Sequence, residues 1–306
     1  NAVSEIKARN ADIIVAGGVE SMSSAPYLVN AKSRSGFGLG DSVMVDSMIN
    51  DALTDAFGSY HMGITAENIA EKFDISRESQ DAYAINSQKK AITADDAGKF
   101  EDEITPIVIK SRKGETIFEK DEYINRRTSL EKLSTLRPAF KKEGSVTAGN
   151  ASGINDGASF TLIASQDAVD KYGLKPLVEI VDSSQVGIDP AFMGLSPAYA
   201  IEKLLKKNDK SINDIDILEV NEAFSAQSLG VFEILKETFG VSDKILNEKI
   251  NVNGSSIALG HPVGASGNRI IVSLVHEMLK QGSTYGVATL CIGGGLGTAV
   301  LLKSVE

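Results

Sequence analysis

The last fifth of the chain carries a histidine and a thiol, each on a glycine-rich turn. His261 lies within Asn253-Gly-Ser-Ser-Ile-Ala-Leu-Gly-His-Pro-Val-Gly-Ala-Ser-Gly267, and the only cysteine begins Cys291-Ile-Gly-Gly-Gly-Leu-Gly297. Glycine lets a backbone approach a ligand closely. An imidazole titrates near neutral pH, and a thiol with a pKa of about 8.5 needs only a modest downward shift to act as a base. The two residues predict a site for acid–base chemistry on sulfur and acyl groups.

Each residue also has a purely structural interpretation. A lone histidine is usually a loop residue, but the turn at His261 leads into a predicted helix over 266–280, whose N-terminal amides favour a developing oxyanion. Cys291 could be a small buried hydrophobe. Three glycines after a strand argue against that, because they cost stability unless the backbone must reach a ligand. A dinucleotide site at 293–297 is excluded, because 298–303 is predicted to be a strand rather than a helix.

Three further segments could contribute to the same site. Asn221 follows a predicted buried strand, where its amide could cap a helix or position a water molecule. His61 could belong to the site or simply precede a helix. The small residues of 147–153 could form a turn, or a floor under a slim ligand with the Ser152 hydroxyl bonding an amide.

The composition limits the function classes. The 306 residues carry a net charge of −10, which argues against a general nucleic-acid binder. One cysteine excludes an internal disulfide and a cysteine-cluster metal site and fits a reducing compartment, so a cytoplasmic location is predicted. No apolar run reaches the roughly 18 residues of a membrane span. Residues 110–142 hold ten Lys/Arg against five Asp/Glu. This basic segment forms either a solvated face or a surface that attracts nucleotide phosphate.

Hydrophobic patterning predicts an alternation of helices and strands. Helices are expected over 64–73, 79–92, 197–206, 224–239 and 266–280. Strands are expected over 12–18, 103–110, 158–165, 177–186, 215–220, 286–290 and 298–303. This order predicts a mixed or parallel sheet covered on both faces, and the length predicts two domains.

The start of the sequence is similar to a later segment. Residues 1–10 are predicted to be the tail of a helix, and Lys7–Gly18 parallels Lys280–Gly294. By that repeat, the turn that matches the His261 turn would lie about ten residues before Asn1. The sequence is therefore predicted to be a fragment.

Seven segments taken together resemble the thiolase family, most closely the short-chain biosynthetic acetyl-CoA acetyltransferases. The segments are Gly17–Ser23, His61–Gly63, Leu136–Phe140, Thr147–Gly153, Asn221–Gln227, Asn251–Gly267 and Cys291–Gly297. The resemblance implies an α/β fold with two similar α-β-α-β-α halves, an inserted loop domain that holds CoA, and a homodimer or homotetramer. It implies that 1–25 plus 153–174 form the remnant of an incomplete first half, 26–152 the loop domain and 175–306 the C-terminal half.

The resemblance also implies roles for the residues. His261 would activate the family's nucleophilic cysteine and, with a water held by Asn221, stabilise the thioester oxyanion. Cys291 would move the α-proton of acetyl-CoA, and the Gly293 amide would serve a second oxyanion. The pantetheine tunnel would be lined by Ser152, Ala148, Leu53, Met62 and Phe224, with His61 near the acyl end. No metal and no cofactor beyond CoA thioester substrates are implied.

Two departures from the family stand out. Asn125 occupies a place where close relatives often carry an arginine against the adenine, with Arg126 and Arg127 beside it. The second cysteine, the nucleophile, is absent. The predicted function is therefore condensation of two acetyl-CoA to acetoacetyl-CoA and CoA, with this chain inactive as it stands. The alternative is a non-catalytic thiolase-like CoA or acyl-CoA binder or interaction subunit. The first half is expected to expose open sheet edges and an apolar face.

Overall fold

The computed structural model describes residues 1–305. Its α-helices are α1 (Ala2–Lys7), α2 (Met62–Lys72), α3 (Arg77–Asp96), α4 (Leu130–Ser134), α5 (Gln166–Tyr172), α6 (Ser196–Lys207), α7 (Ser225–Phe239), α8 (Asp243–Lys249), α9 (Ser256–Leu259) and α10 (Val263–Gln281). Its strands are β1 (Ile13–Ser21), β2 (Tyr27–Val29), β3 (Met44–Asp46), β4 (Ile107–Ser111), β5 (Gly114–Phe118), β6 (Asp156–Ala164), β7 (Val178–Gly187), β8 (Ile217–Val220), β9 (Tyr285–Ile292) and β10 (Leu296–Ser304).

The C-terminal half is built on a four-stranded sheet in the order β7-β10-β9-β8. β10 runs antiparallel to both β7 and β9, whereas β8 runs parallel to β9. Successive residues of β8 face opposite sides: Ile217 packs with the apolar face of α10, and Leu218 packs with α6 and α7. The prediction of a mixed sheet covered on both faces is confirmed, and its reason is that β8 is apolar on both sides.

A second sheet pairs β1 with β6 in antiparallel register, from Ile13 opposite Ala164 to Ser21 opposite Asp156. α10 also packs on these two strands, so it lies between the two sheets. The opposite face of β1 and β6 is apolar and exposed at Val15, Val19, Phe160 and Leu162. The expected exposed apolar face is therefore present. The two similar helix–strand segments of the sequence correspond to α1–β1 and α10–β9, and each of these strands has an antiparallel partner.

Residues 26–152 form a region of helices and short hairpins. α3 begins at Arg77, two residues before the predicted start, and the Ser76 hydroxyl caps it by accepting a hydrogen bond from Ser79 N at 3.1 Å. The strand predicted over 103–110 begins only at Ile107, because Pro106 has no backbone N–H to give to a partner strand. The hairpins β2–β3 and β4–β5 were not predicted.

The helices of residues 1–305 include none that is long and apolar enough to cross a membrane. α10 has 19 residues, but one of its faces carries polar groups such as Asn268 and Arg269. α3 has 20 residues and is more polar still. Both helices pack inside the protein instead, α10 between the sheets and α3 against α7 and α9.

Candidate active site

A cavity of about 460 Å³ opens where the two glycine-rich turns meet side chains from residues 26–152. Nine of the ten residues singled out from the sequence line it, namely Leu53, His61, Met62, Ala148, Ser152, Phe224, His261, Cys291 and Gly293. The tenth, Asn221, lies directly behind His261 and is fully buried. The lining is predominantly apolar with a few polar groups, which is the usual makeup of a small-molecule site.

The turn that carries His261 is held by a segment distant in sequence. The His261 N–H donates to Asn155 Oδ1 at 3.1 Å. Gly260 has φ +96°, and a Cβ there would meet the Asn155 side chain at 2.6 Å. Only glycine fits this position, because both the backbone conformation and the close contact exclude a side chain. α10 starts two residues after His261.

The hydrogen bonds around the ring determine its tautomer. The Ser266 hydroxyl donates to Pro262 O at 2.8 Å. A hydroxyl has one proton, so Ser266 must accept from His261 Nδ1, which lies 2.6 Å away. The proton is therefore on Nδ1, and Nε2 carries the lone pair. Asn221 Nδ2 lies 3.4 Å from Nε2 and faces that lone pair.

The protein keeps this imidazole neutral. Burial, together with the positive charge of Arg269 on α10, lowers the pKa of His261 to about 4. The ring edge is partly open to the cavity, whereas protein encloses its other sides. At neutral pH His261 is therefore a proton acceptor at Nε2.

Cys291 lies near the end of β9, in an apolar cluster with Met62 and Phe224. Burial raises the pKa of its thiol to about 12. The expectation of a modest downward shift is wrong, because apolar side chains surround the sulfur and disfavour the thiolate. Cys291 is therefore a protonated thiol at neutral pH.

The glycines after Cys291 serve two different purposes. Gly294 and Gly295 have φ +83° and +84° and form the turn from β9 to β10, where a Cβ on Gly295 would meet Ile188 O at 2.2 Å. Gly293 has no positive φ and lines the cavity. Turn geometry therefore accounts for Gly294 and Gly295, and Gly293 is the one of the three that lines the cavity.

His61 caps the N-terminus of a helix and also lines the cavity. Its Nδ1 accepts the Gly63 N–H at 3.0 Å and caps the N-terminus of α2. Its ring stacks on Phe140 with centroids 4.6 Å apart. Burial lowers its pKa. His61 therefore caps a helix and also lines the cavity, whereas its role near the acyl end of a ligand stays a prediction.

Residues 147–153 form the floor of the cavity. Ser152 N donates to Ala223 O at 2.9 Å, and Ala151 bridges to Phe224. The floor continues into a second cavity of about 450 Å³, which shares Tyr123, Ala148 and Ala151 with the first. The two cavities form one elongated groove.

The charges of residues 110–142 are only partly free to meet a ligand. Arg126 pairs with Asp95 and Asp96, and Lys141 pairs with Glu71. Within 110–142, the cations that line the outer cavity are Arg127 and Lys132. The neutral Asn125 lines it as well. The groove therefore has an apolar inner end and a cationic outer part.

Several residues of the site were missed by sequence reasoning. They are Met193, Phe140, Tyr123, Asn155, Ser256, Ser266 and Arg269. Ser266 had a usable sequence signal, since it lies five residues after His261 at the start of the predicted helix over 266–280. The others come from segments distant along the chain. Among residues 1–305 no group of three or more His, Cys, Asp or Glu side chains could hold a metal ion.

Comparisons with known proteins identify the family of this chain. The model of the thiolase N-terminal domain matches residues 1–167, and that of the thiolase C-terminal domain matches residues 174–304. An acetyl-CoA acetyltransferase of Chromobacterium violaceum is 51% identical over 303 residues, which are 99% of this chain and 75% of that protein. The predicted domain boundaries stay a prediction.

Solved structures show the same likeness. The acetyl-CoA acetyltransferase from Syntrophomonas wolfei has a TM-score of 0.94 and 47% identity over 99% of this chain and 75% of that one. Human mitochondrial 3-ketoacyl-CoA thiolase in complex with CoA has a TM-score of 0.91 and 46% identity over 100% of this chain and 74% of that one. The α/β fold predicted from the sequence is the thiolase fold. The chain belongs to the thiolase family and is an acyltransferase.

Proposed function

We propose that the chain belongs to an acetyl-CoA C-acetyltransferase, which condenses two acetyl-CoA to acetoacetyl-CoA and CoA and catalyses the reverse thiolysis. The observation that carries the proposal is the single cavity lined by a neutral imidazole, a thiol and the Gly293 backbone. The names of the relatives, acetyl-CoA acetyltransferases among them, support this substrate class.

The shape of the groove supports CoA thioesters as ligands. The apolar inner cavity and its floor at Ala148 and Ser152 suit a slim pantetheine chain with an amide to bond. Arg127 and Lys132 in the outer cavity suit phosphate. We propose acetyl-CoA, acetoacetyl-CoA and CoA as the ligands, with side chains alone supplying the acid–base chemistry and no further cofactor.

The proposed proton transfer starts from the protonated thiol of Cys291. In thiolysis a nucleophile other than Cys291 and His261 forms a bond to C3 of acetoacetyl-CoA, and the C2–C3 bond breaks with its electron pair staying on C2 as an enolate. C2 then takes the proton of Cys291, which becomes a thiolate. In condensation the thiolate removes that proton again. Once His261 Nε2 has taken up the proton of the nucleophile, it can donate to the oxyanion together with a water held at Asn221, and the Gly293 amide serves the acyl-transfer step.

Acyl transfer through a covalent intermediate needs a nucleophile besides this acid and base. The sequence holds one cysteine, and the proposal assigns it to proton transfer. We therefore expect these 306 residues alone to give no thiolysis of acetoacetyl-CoA. A homodimer or homotetramer and a reducing, cytoplasmic compartment are proposed as well, the latter supported by the single cysteine.

The test uses a partial reaction that needs no nucleophile. In D₂O the chain is expected to exchange the methyl protons of acetyl-CoA above the protein-free rate, measured by mass spectrometry. The rate should rise about tenfold per pH unit between pH 7 and 9, because the thiol with a pKa of about 12 must first lose its proton. Cys291→Ala should abolish the exchange.

Ser184→Ala is the matched control, since Ser184 is a buried serine on β7 that donates to Ala200 O. It should exchange as the wild type does. Saturable CoA binding without exchange would reject the enzyme proposal and favour the non-catalytic CoA binder. Exchange that persists in Cys291→Ala would reject the role of Cys291.

A further inference from the structure

The side-chain amide of Asn221 faces His261. Its nitrogen and oxygen ends have the same shape, so shape alone does not decide which of them faces the ring. A carboxamide offers an NH₂ donor at one end and an oxygen acceptor at the other. His261 Nε2 carries a lone pair, as the Ser266 hydrogen bonds require. Only the nitrogen of Asn221 can therefore face it favourably, and something must prevent the flipped orientation.

Two residues outside the cavity lining fix the orientation of the Asn221 amide. Ser256 Oγ lies 2.5 Å from Asn221 Oδ1, and Arg269 Nη2 lies 3.1 Å from Ser256 Oγ. A guanidinium can only donate, so Ser256 accepts from Arg269 and its own proton is free for Asn221. The atom of Asn221 that faces Ser256 must then be the oxygen.

We propose that Ser256 and Arg269 are positioning residues that hold the Asn221 amide with its nitrogen towards His261. The donors run in one direction, from Arg269 through Ser256 and Asn221 to Nε2. Asn221 and Ser256 are fully buried, so water cannot replace a missing partner easily. The Asn221 main chain is held separately, because its N–H donates to Thr289 O at 3.0 Å.

The elements make this arrangement rigid. Ser256 is the first residue of α9, and Arg269 lies two turns after His261 on α10. Burial raises the pKa values of Glu103 and Glu219, and the Arg269 charge opposes that rise in both. The two carboxyl groups therefore lie close enough to Arg269 for its charge to act on them.

The flipped amide would change the chemistry of His261. Its oxygen would face the Nε2 lone pair, and two acceptors repel. The ring would respond by moving its proton from Nδ1 to Nε2, which removes the acceptor from the cavity side. Ser256 and Arg269 thus keep the base available. The kinetic part of this argument rests on the proposed function, whereas the tautomer does not.

The test is the tautomer of His261, read from long-range ¹H–¹⁵N spectra of histidine-labelled protein. Three histidines make assignment direct. The wild type should show the proton on Nδ1 at pH 7. Ser256→Ala should move the signals towards the Nε2–H form, and Ser256→Thr, which keeps the hydroxyl, should restore the wild-type pattern. Ser184→Ala is the control and should leave the pattern unchanged.

A wild-type tautomer in folded Ser256→Ala would overturn the proposal. If that variant does not fold, Ser256→Cys replaces it, with the same expectation because a thiol is a weak donor. In the deuterium exchange assay, Ser256→Ala should lower kcat about tenfold, the loss of one hydrogen bond. KM should stay within about twofold, since Ser256 does not line the cavity.

The two readouts separate the two proposals. If wild-type protein shows no exchange but Ser256→Ala changes the tautomer, the proposed function fails and the positioning role holds. If exchange occurs but Ser256→Ala changes neither kcat nor the tautomer, the positioning role fails and the function holds.

Discussion

At the scale of single residues, the site depends on protonation states that burial sets. His261 and Cys291 both lose their charged forms because protein replaces water around them. The result is a neutral acceptor and a neutral donor in one cavity. Neutral partners suit a reaction in which charge develops on the substrate rather than on the resting enzyme.

Cys291 is expected to react slowly with thiol reagents in the folded protein. A pKa of about 12 in place of 9.0 makes the thiolate fraction at pH 7.5 about a thousandfold smaller. The reaction with a disulfide reagent such as DTNB measures this directly, because the sequence has no other cysteine. The rate should rise steadily with pH up to 9 and increase sharply in urea.

Full reaction in folded protein within seconds at pH 7.5 would contradict that protonation state. A short cysteine peptide under the same conditions gives the reference rate. Protection by CoA would also show that the reagent enters through the groove.

At the scale of elements, the two sheets meet at the start of α10. A Cβ on Gly18 of β1 would lie 1.8 Å from Gly264 O, in the first turn of α10. Glu20 Oε2 accepts the Gly264 N–H at 3.0 Å close by. The β1–β6 sheet therefore supports the turn on which His261 lies.

Gly18→Ala is expected to destabilise the protein by about 1–3 kcal/mol, because backbone atoms on both sides must move apart. Urea unfolding measures this, and the deuterium exchange rate should fall as the His261 turn shifts. Gly38→Ala is the control, since a Cβ there meets nothing within 4 Å. Equal stability of Gly18→Ala and wild type would show that β1 does not support the turn.

At the scale of the whole molecule, the face of β1 and β6 opposite α10 is apolar and exposed. Val15 is 68% exposed and Leu162 is 58% exposed, and alternating residues repeat this along both strands. Contiguous apolar surface of this kind promotes association.

The chain is therefore expected to sediment above the 32.5 kDa of one copy. Val15→Lys with Leu162→Lys should shift it towards the monomer, because a buried lysine pair is costly in an apolar contact. Leu279→Lys, at an exposed leucine on α10, is the control and should not change the mass. A wild-type monomer at all concentrations would refute the expectation.

The sequence by itself determined the elements and the chemical residue types. The order of the main helices and strands of the C-terminal half follows from local periodicity, and the motifs that carry the resemblance to the thiolase family led to nine residues that line one cavity. Local signals suffice there because periodicity, caps and glycine turns act within a few residues. The short hairpins of 26–152 were missed, because their apolar runs have little periodicity.

Only the tertiary structure decided the protonation of Cys291, the tautomer of His261 and the place of Asn221 behind the ring. These depend on burial and on partners such as Ser256 and Arg269, which meet Asn221 only after β8, α9 and α10 have packed. Desolvation and hydrogen-bond direction are properties of the assembled neighbourhood, so a linear pattern of residue types cannot contain them.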